Sequence, residues 1–339
     1  QRMELFARTF LLSMLVWVVG VWVVPSSWLT FTSVSLAFAA LQMVKSVAFG
    51  AAVHREGYLA FRMPWHAWKR TILALLKQSL PFYWLAILTA ATNLVPILFL
   101  AERSGEAEVG LYNLGFRLVN PLHLLVWNAL LALYPDLSRS GLRDKERFTR
   151  IVRRTLVMVM ALGTAGALVI SLVRWEIVTM LFGAAYLPSA DAMAFQVWFS
   201  VLYSLYCLMG VTMAAADKQV WMAWLATAYA AIAVPLQWWG AGYGATGLAV
   251  AVVAGAVVSL WYHWIAFQRS LPRALPLSFT LELAGILVLG AGVAAAIPGH
   301  VHVAWRLTFA LILLALCARW LVRQRTRAAG VAEPQRAAV

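Results

Sequence analysis

The chain has 339 residues and a mass of 37.4 kDa; it is 63% hydrophobic, only 12% charged, and has a mean hydropathy of +0.80. A soluble domain carries roughly half apolar and a quarter charged residues, so a cytosolic enzyme, a disordered chain and a disulfide scaffold are excluded, and an all-α polytopic membrane protein is expected. The net charge of +14 does not call for a nucleic-acid partner, because Lys and Arg in a membrane chain report orientation and are held on the cytoplasmic side.

A helix needs about 20 largely apolar residues to cross the hydrocarbon core. The sequence opens on Gln1 and is in an apolar stretch by Phe10, with no signal peptide, and so reads as a fragment lacking its true start. Two candidate spans come first, at 9–24 and 28–53. Residues 54–79 follow, where Trp65, Trp68, Ile72, Leu75 and Leu76 recur at helical spacing with Lys69, Arg70 and Lys77 on other faces. That pattern predicts a basic amphipathic helix on the inner leaflet; the plainer reading is a solvated linker. Eight further spans are predicted at 80–101, 110–134, 155–173, 191–215, 220–239, 243–267, 279–298 and 303–322, which makes about ten transmembrane helices. With a cytoplasmic N-terminus, 22 of the 27 basic residues fall on the cytoplasmic side, and only Arg103, Arg174 and Arg306 on the other.

The other two basic residues, Lys45 and Arg117, fall inside spans. A cation at mid-bilayer costs roughly 2.5–3.5 kcal/mol on insertion scales and so normally faces a bundle interior or a wet cavity. In the fourth span Asn113, Arg117, Asn120, Leu124 and Asn128 share about 80° of arc at 100° per residue. Weaker polar rows occur in the third span (Thr89, Thr92, Asn93, Pro96), the second (Ser35, Gln42, Ser46, with Lys45 flanking) and the sixth (Ser200, Tyr203, Ser204, Cys207). Together they predict a central water-filled cavity of positive potential. Its candidate substrate-binding residues are Arg117, Lys45, Asn113, Asn120, Asn128, Asn93 and Gln42. An arginine suits an anion such as phosphate, because its planar fork bonds phosphate oxygens bidentately. The structural alternatives are that Arg117 bonds helix-end carbonyls, that Lys45 snorkels past Val53, and that the amides are interhelical glue. Pro96, Pro121 and Pro235 are expected to interrupt helices at membrane depth, and Gly247, Ala251 and Gly255 to form a small-residue packing ridge.

Catalysis is not expected. The carboxylates are scattered, and the six histidines fit no metal motif. No Walker A motif is present, and Cys207 and Cys317 give no disulfide framework. The short loops leave no room for an external domain, so neither a catalytic metal nor a cofactor is anticipated.

Several strings are similar to a known family. Ala107-Glu-Val-Gly-Leu-Tyr-Asn-Leu-Gly-Phe-Arg117-Leu resembles the vGxYxxAxRl stretch of oligosaccharide flippases, the Wzx-type polysaccharide exporters of the MATE-like superfamily. Ser79-Leu-Pro-Phe, Leu133-Tyr-Pro-Asp-Leu-Ser, Leu181-Phe-Gly183-Ala-Ala-Tyr186 and Gly242-Tyr-Gly244-Ala-Thr-Gly247-Leu-Ala resemble the same family in order and spacing. The resemblance implies a two-lobe helical bundle with both termini cytoplasmic, represented here in part. Residues 1–53 would be the last two helices of a truncated N-lobe, 54–79 the inter-lobe linker, and 80–267 a complete six-helix C-lobe. Two accessory helices (268–322) and a basic cytoplasmic tail (323–339) would follow.

The implied function is transport of an undecaprenyl-pyrophosphate-linked sugar repeat across the bacterial inner membrane by alternating access, for polysaccharide or O-antigen synthesis. Arg117 matches the family's arginine; Lys45 rests on its position alone. Partners would be the lipid-linked oligosaccharide and membrane lipids, with a functional link to glycosyltransferases and a polysaccharide polymerase. A MATE-like multidrug exporter is the alternative, favoured by an acidic rather than a basic cavity.

Overall fold

A computed structural model describes residues 31–55, 65–141, 144–216 and 218–270, with seven single positions beyond them (285, 305, 308, 311, 312, 315 and 319). The predicted spans at 9–24, 279–298 and 303–322 lie outside the described residues or touch them only at those single positions. The described segments form eight α-helices and one short 3-10 turn, and among them no strand occurs. Six of the helices are long and apolar enough to cross a membrane, as in a multi-pass membrane protein.

The chain divides into two compact units, with the boundary between Gln78 and Ser79. In the first, α1 runs Phe31–Arg55 and carries a shorter apolar stretch, Leu36–Val47. Helix α2, Trp65–Ser104, passes through the unit boundary, and its apolar span is Ser79–Ser104. Residues 65–79, the part of the predicted amphipathic segment that continues into the third span, are thus the first part of one long helix. Ala, Leu, Lys and Gln dominate positions 67–78, all good helix formers, and nothing there stops the helix.

The second unit continues with α3 (Glu106–Gly141), α4 (Lys145–Leu172), the short α5 (Arg174–Phe182), the 3-10 turn Ala184–Tyr186, α6 (Ser189–Ala215), α7 (Gln219–Ala241) and α8 (Gly244–Ser270). Each predicted span from the third to the eighth coincides with one of these long helices. Most helices outrun the apolar window because polar residues extend their ends. Asp144, for example, caps α4 by accepting the Arg147 N–H at 2.9 Å, which satisfies one of the four unpaired donors of a helix start. The prolines do not interrupt the helices as expected. Pro96, Pro121 and Pro235 all lie inside continuous helices, since neighbouring groups in a bundle can absorb the lost backbone bond.

Helix α6 is central: α3, α4 and α8 pack on it, and α7 packs on α8. Two close approaches make this possible. At Gly115 of α3 a Cβ would lie 2.5 Å from Gln196 Oε1 and 3.2 Å from the Met193 backbone of α6. At Gly240 of α7 it would lie 2.5 Å from Ala251 Cβ and 2.7 Å from the Gly247 carbonyl of α8. The anticipated ridge Gly247–Ala251–Gly255 therefore faces α7, with Gly255 against Ala233. Contacts between small residues gain dispersion energy where lipid offers no hydrophobic drive.

One end of the bundle is tied by complementary helix termini. Arg103 Nη1 donates to the Trp238 carbonyl at 3.1 Å, with its guanidinium 4.9 Å over the Trp238 ring, and Ser104 Oγ donates to the Ala241 carbonyl at 2.7 Å. Both caps sit on the C-terminal carbonyls of α7. Glu108 meets the first turn of α8, where Ala245 N–H donates to Oε2. Cation to C-terminus and carboxylate to N-terminus is the arrangement that opposes both helix dipoles. Gly244, at φ +75°, takes the backbone through a region that favours glycine.

Candidate functional site

Within the second unit, the predicted site residues Asn93 and Arg117 do not share a cavity. Gln42 and Lys45 lie on α1 in the first unit, Gln42 exposed and Lys45 half-buried. Ser46, beside them, spends its hydroxyl on the Gln42 carbonyl at 2.9 Å.

On α3 the face turned to the core carries Tyr112, Gly115, Val119, His123, Leu130 and Leu137. Arg117 is exposed and stands roughly 140° around the helix from Tyr112, at about 100° per residue. Asn113 and Asn120 are half-buried on the shoulder between, and Asn128 is exposed. The predicted polar row is therefore real as a row, and it lies on the flank of α3 that the second unit's core leaves uncovered. Among the described residues Arg117 makes no ion pair or hydrogen bond. From Glu106, where α3 begins, it is about 16 Å along the axis at 1.5 Å per residue, about half the thickness of a hydrocarbon core. Asn128 Nδ2 donates to the Leu124 carbonyl one turn back at 2.8 Å.

Asn93 belongs to a different site. With Thr89 and Thr92 it forms the α2 wall of a cavity of about 50 Å3, completed by Phe199, Tyr203 and Tyr206 of α6, Tyr229 of α7 and Ser259 of α8. This cavity joins the polar rows of the third and sixth spans, no charged residue lines it, and the Arg117 row is not part of it. Rotation about each helix decides the matter, since α3 turns His123 rather than Arg117 toward α6.

The α2 wall is rich in acceptors. Thr89 and Thr92 donate their hydroxyl protons to the Leu85 and Leu88 carbonyls at 2.8 and 2.9 Å, and Asn93 Nδ2 donates to the Thr89 carbonyl at 2.9 Å. What the two threonines have left to offer a guest is oxygen lone pairs, and Asn93 keeps its amide oxygen and one N–H. Opposite them are tyrosine rings, whose faces are electron-rich. At roughly 10–15 Å3 per water the cavity holds a few waters.

An aromatic chain extends from this cavity in both directions. The His123 ring of α3 lies 5.1 Å from Tyr203 and 5.8 Å from Phe199; Tyr206 lies 6.5 Å from Tyr229 and 4.7 Å from His263 of α8. His263 Nδ1 is 2.8 Å from the Ser259 carbonyl, which can only accept, so that nitrogen carries the proton. Among the described residues, His123 Nε2 is buried without a partner.

None of His123, Tyr206, Tyr229 and His263 was singled out by the sequence reading. Single aromatics on four apolar helices look like core until the helices are assembled. Among the described residues no group of three or more His, Cys, Asp or Glu side chains could hold a metal ion.

No protein-family model matches the chain, and none of the curated proteins is detectably similar to it.

Proposed function

We propose that the chain carries a lipid-linked oligosaccharide, an undecaprenyl-pyrophosphate-linked sugar repeat, across the bacterial inner membrane by alternating access, and is not an enzyme. The observation that carries this reading is Arg117: a guanidinium about half a hydrocarbon core's thickness from the start of α3, exposed on its helix, unpaired among the described residues, and flanked by Asn113 and Asn120. A lone cation there is expensive, and a pyrophosphate passing beside it would offset that cost through charge-assisted, bidentate bonds. Amide side chains on the same flank suit the remaining phosphate or sugar oxygens. In this reading the chain has ten spans, arranged as part of a MATE-like two-lobe bundle, and Lys45 with Gln42 adds to the positive path. The resemblance of the 107–118 stretch to oligosaccharide flippases supports the same conclusion.

Complementation in cells tests it. Arg117→Ala should abolish surface polysaccharide while the protein remains in the membrane, and Arg117→Lys should restore part of it. Normal surface glycan with the alanine variant rejects the anion role.

The uncharged tyrosine cavity favours a second reading, export of organic cations. Acceptor oxygens and ring faces attract an ammonium group without a carboxylate. Efflux of a cationic dye that survives Arg117→Ala and is lost with Tyr206→Ala would select that reading.

A further inference from the structure

The start of α4 carries three exposed arginines beside two carboxylates, the cap Asp144 and Glu146 of the first turn. Arg147, Arg150 and Arg154 are exposed within the first three turns, and Arg147 lies in the first turn, where the N-terminal partial charge disfavours a cation. Asp144, at the cap, is already engaged by the Arg147 N–H, and Arg147, Arg150 and Arg154 form no ion pair among the described residues.

Further along, the same exposed strip changes character. At about 100° per residue, Arg147, Arg154, Met158 and Leu162 fall within about 80° of arc, with Arg150 about 40° beyond it. Met158 and Leu162 are 47% and 68% exposed, whereas Phe148, Val152, Leu156 and Met160 on the opposite face are buried in the core. The strip is thus cationic for about 10 Å at 1.5 Å per residue and then apolar. A cleft between the end of α3 and the start of α4, lined by Asp136, Arg139, Ser140, Asp144 and Arg147, adjoins its cationic end. The two carboxylates there repel phosphate, so an anion would sit on the outward side of Arg147, over Arg150 and Arg154.

We infer that this strip is a binding site for an anionic phospholipid, with the headgroup phosphate held by Arg147, Arg150 and Arg154 and an acyl chain lying along Met158 and Leu162. Orientation alone requires only that basic residues lie on one side of the membrane; it does not require three on one helix strip that continues into exposed apolar side chains. The lipid accounts for both halves, its phosphate for the arginines and its acyl chain for the exposed apolar side chains. Basic clusters at membrane level bind anionic headgroups in this way.

The test uses the purified full chain in detergent, titrated with phosphatidylglycerol, with phosphatidylcholine and with inorganic phosphate, and read by lipid retention in native mass spectrometry and by thermal shift. The expected result is salt-sensitive retention of phosphatidylglycerol over phosphatidylcholine. Each single Arg→Gln change at 147, 150 or 154 should weaken that retention about fivefold, and the three together on the order of 100-fold. The corresponding Arg→Lys variants, which keep the charge and guard against misfolding, should retain most of the preference. Leu162→Ser should weaken phosphatidylglycerol binding without changing any response to phosphate. Equal retention of the two lipids, an unchanged preference in the triple glutamine variant, or full competition by millimolar inorganic phosphate would overturn the proposal; the last would mark a site for the free ion.

Discussion

The Glu108 carboxylate accepts the Ala245 backbone N–H at 2.6 Å, fastening the first turn of α3 to the first turn of α8 across 137 residues of sequence. Removing it leaves a helix start without its acceptor and its compensating negative charge. Glu108→Ala should lower stability by about 1 kcal/mol, the usual loss for a capping group, and Glu108→Gln by less, since the amide oxygen still accepts. Thermal unfolding in micelles, followed by tryptophan fluorescence, measures both.

The Gly240–Gly247 crossing predicts a sharper contrast. A Cβ at Gly240 would meet Ala251 Cβ and the Gly247 backbone carbonyl, neither of which can swing aside. Gly240→Ala should force α7 and α8 apart at a cost of about 1–3 kcal/mol. Gly255, on the same ridge, would find its nearest neighbours at 3.6 Å, so Gly255→Ala should be close to neutral. The midpoint difference between the two variants is the measurement; equal midpoints would mean that the ridge does not set the helix separation.

The two kinds of information in the sequence were unequally legible. Six helices could be placed from their apolar windows, because membrane length and burial act on every residue of a span. Their ends could not, since caps such as Asp144 and Glu108 and the continuation of α2 back to Trp65 depend on polar contacts outside the window. The Asn113–Arg117–Asn120 row was legible from helical periodicity alone. Which rows share a cavity was not: Asn93 and Tyr203 face one another across a cavity that Arg117 does not reach, and this depends on how each helix is rotated. Tyr206, Tyr229 and Ser259 come together from three helices, and no spacing along the chain marks such a meeting.

Arg117 and Arg174 should respond oppositely to truncation. Arg117 is exposed and makes no hydrogen bond among the described residues, so Arg117→Ala should change stability by no more than about 0.5 kcal/mol. Arg174 is buried. Its Nη1 donates to the Ser171 carbonyl at 2.6 Å, its Nε pairs with Asp191 at 3.4 Å, and its guanidinium lies 3.5 Å over the Trp175 ring. Arg174→Ala leaves those groups unmet and should cost about 1–3 kcal/mol. A stable Arg117→Ala protein that no longer supports surface glycan would separate function from folding; a large drop in its midpoint would instead make Arg117 a structural residue.

Helix α2 is held to α7 by few side chains, which makes one hydrogen bond especially informative. Trp84 Nε1 donates to Thr227 Oγ1 at 2.9 Å, one turn from Leu88 at the edge of the tyrosine cavity. Thr227 in turn donates to the Ala223 carbonyl at 2.8 Å, so its oxygen is oriented to accept the indole proton. A double-mutant cycle with Trp84→Phe and Thr227→Val isolates the pair. Interhelical hydrogen bonds in membrane proteins average about 0.6 kcal/mol and reach about 1.7; an oriented acceptor places this one in the upper half of that range. Either single change should also loosen α2 over the cavity and raise the solvent accessibility of a cysteine placed at Thr92, read by maleimide labelling. If the coupling energy is zero, the bond does not hold α2 in place, and the contacts of Phe99, Arg103 and Ser104 with α7 do so instead.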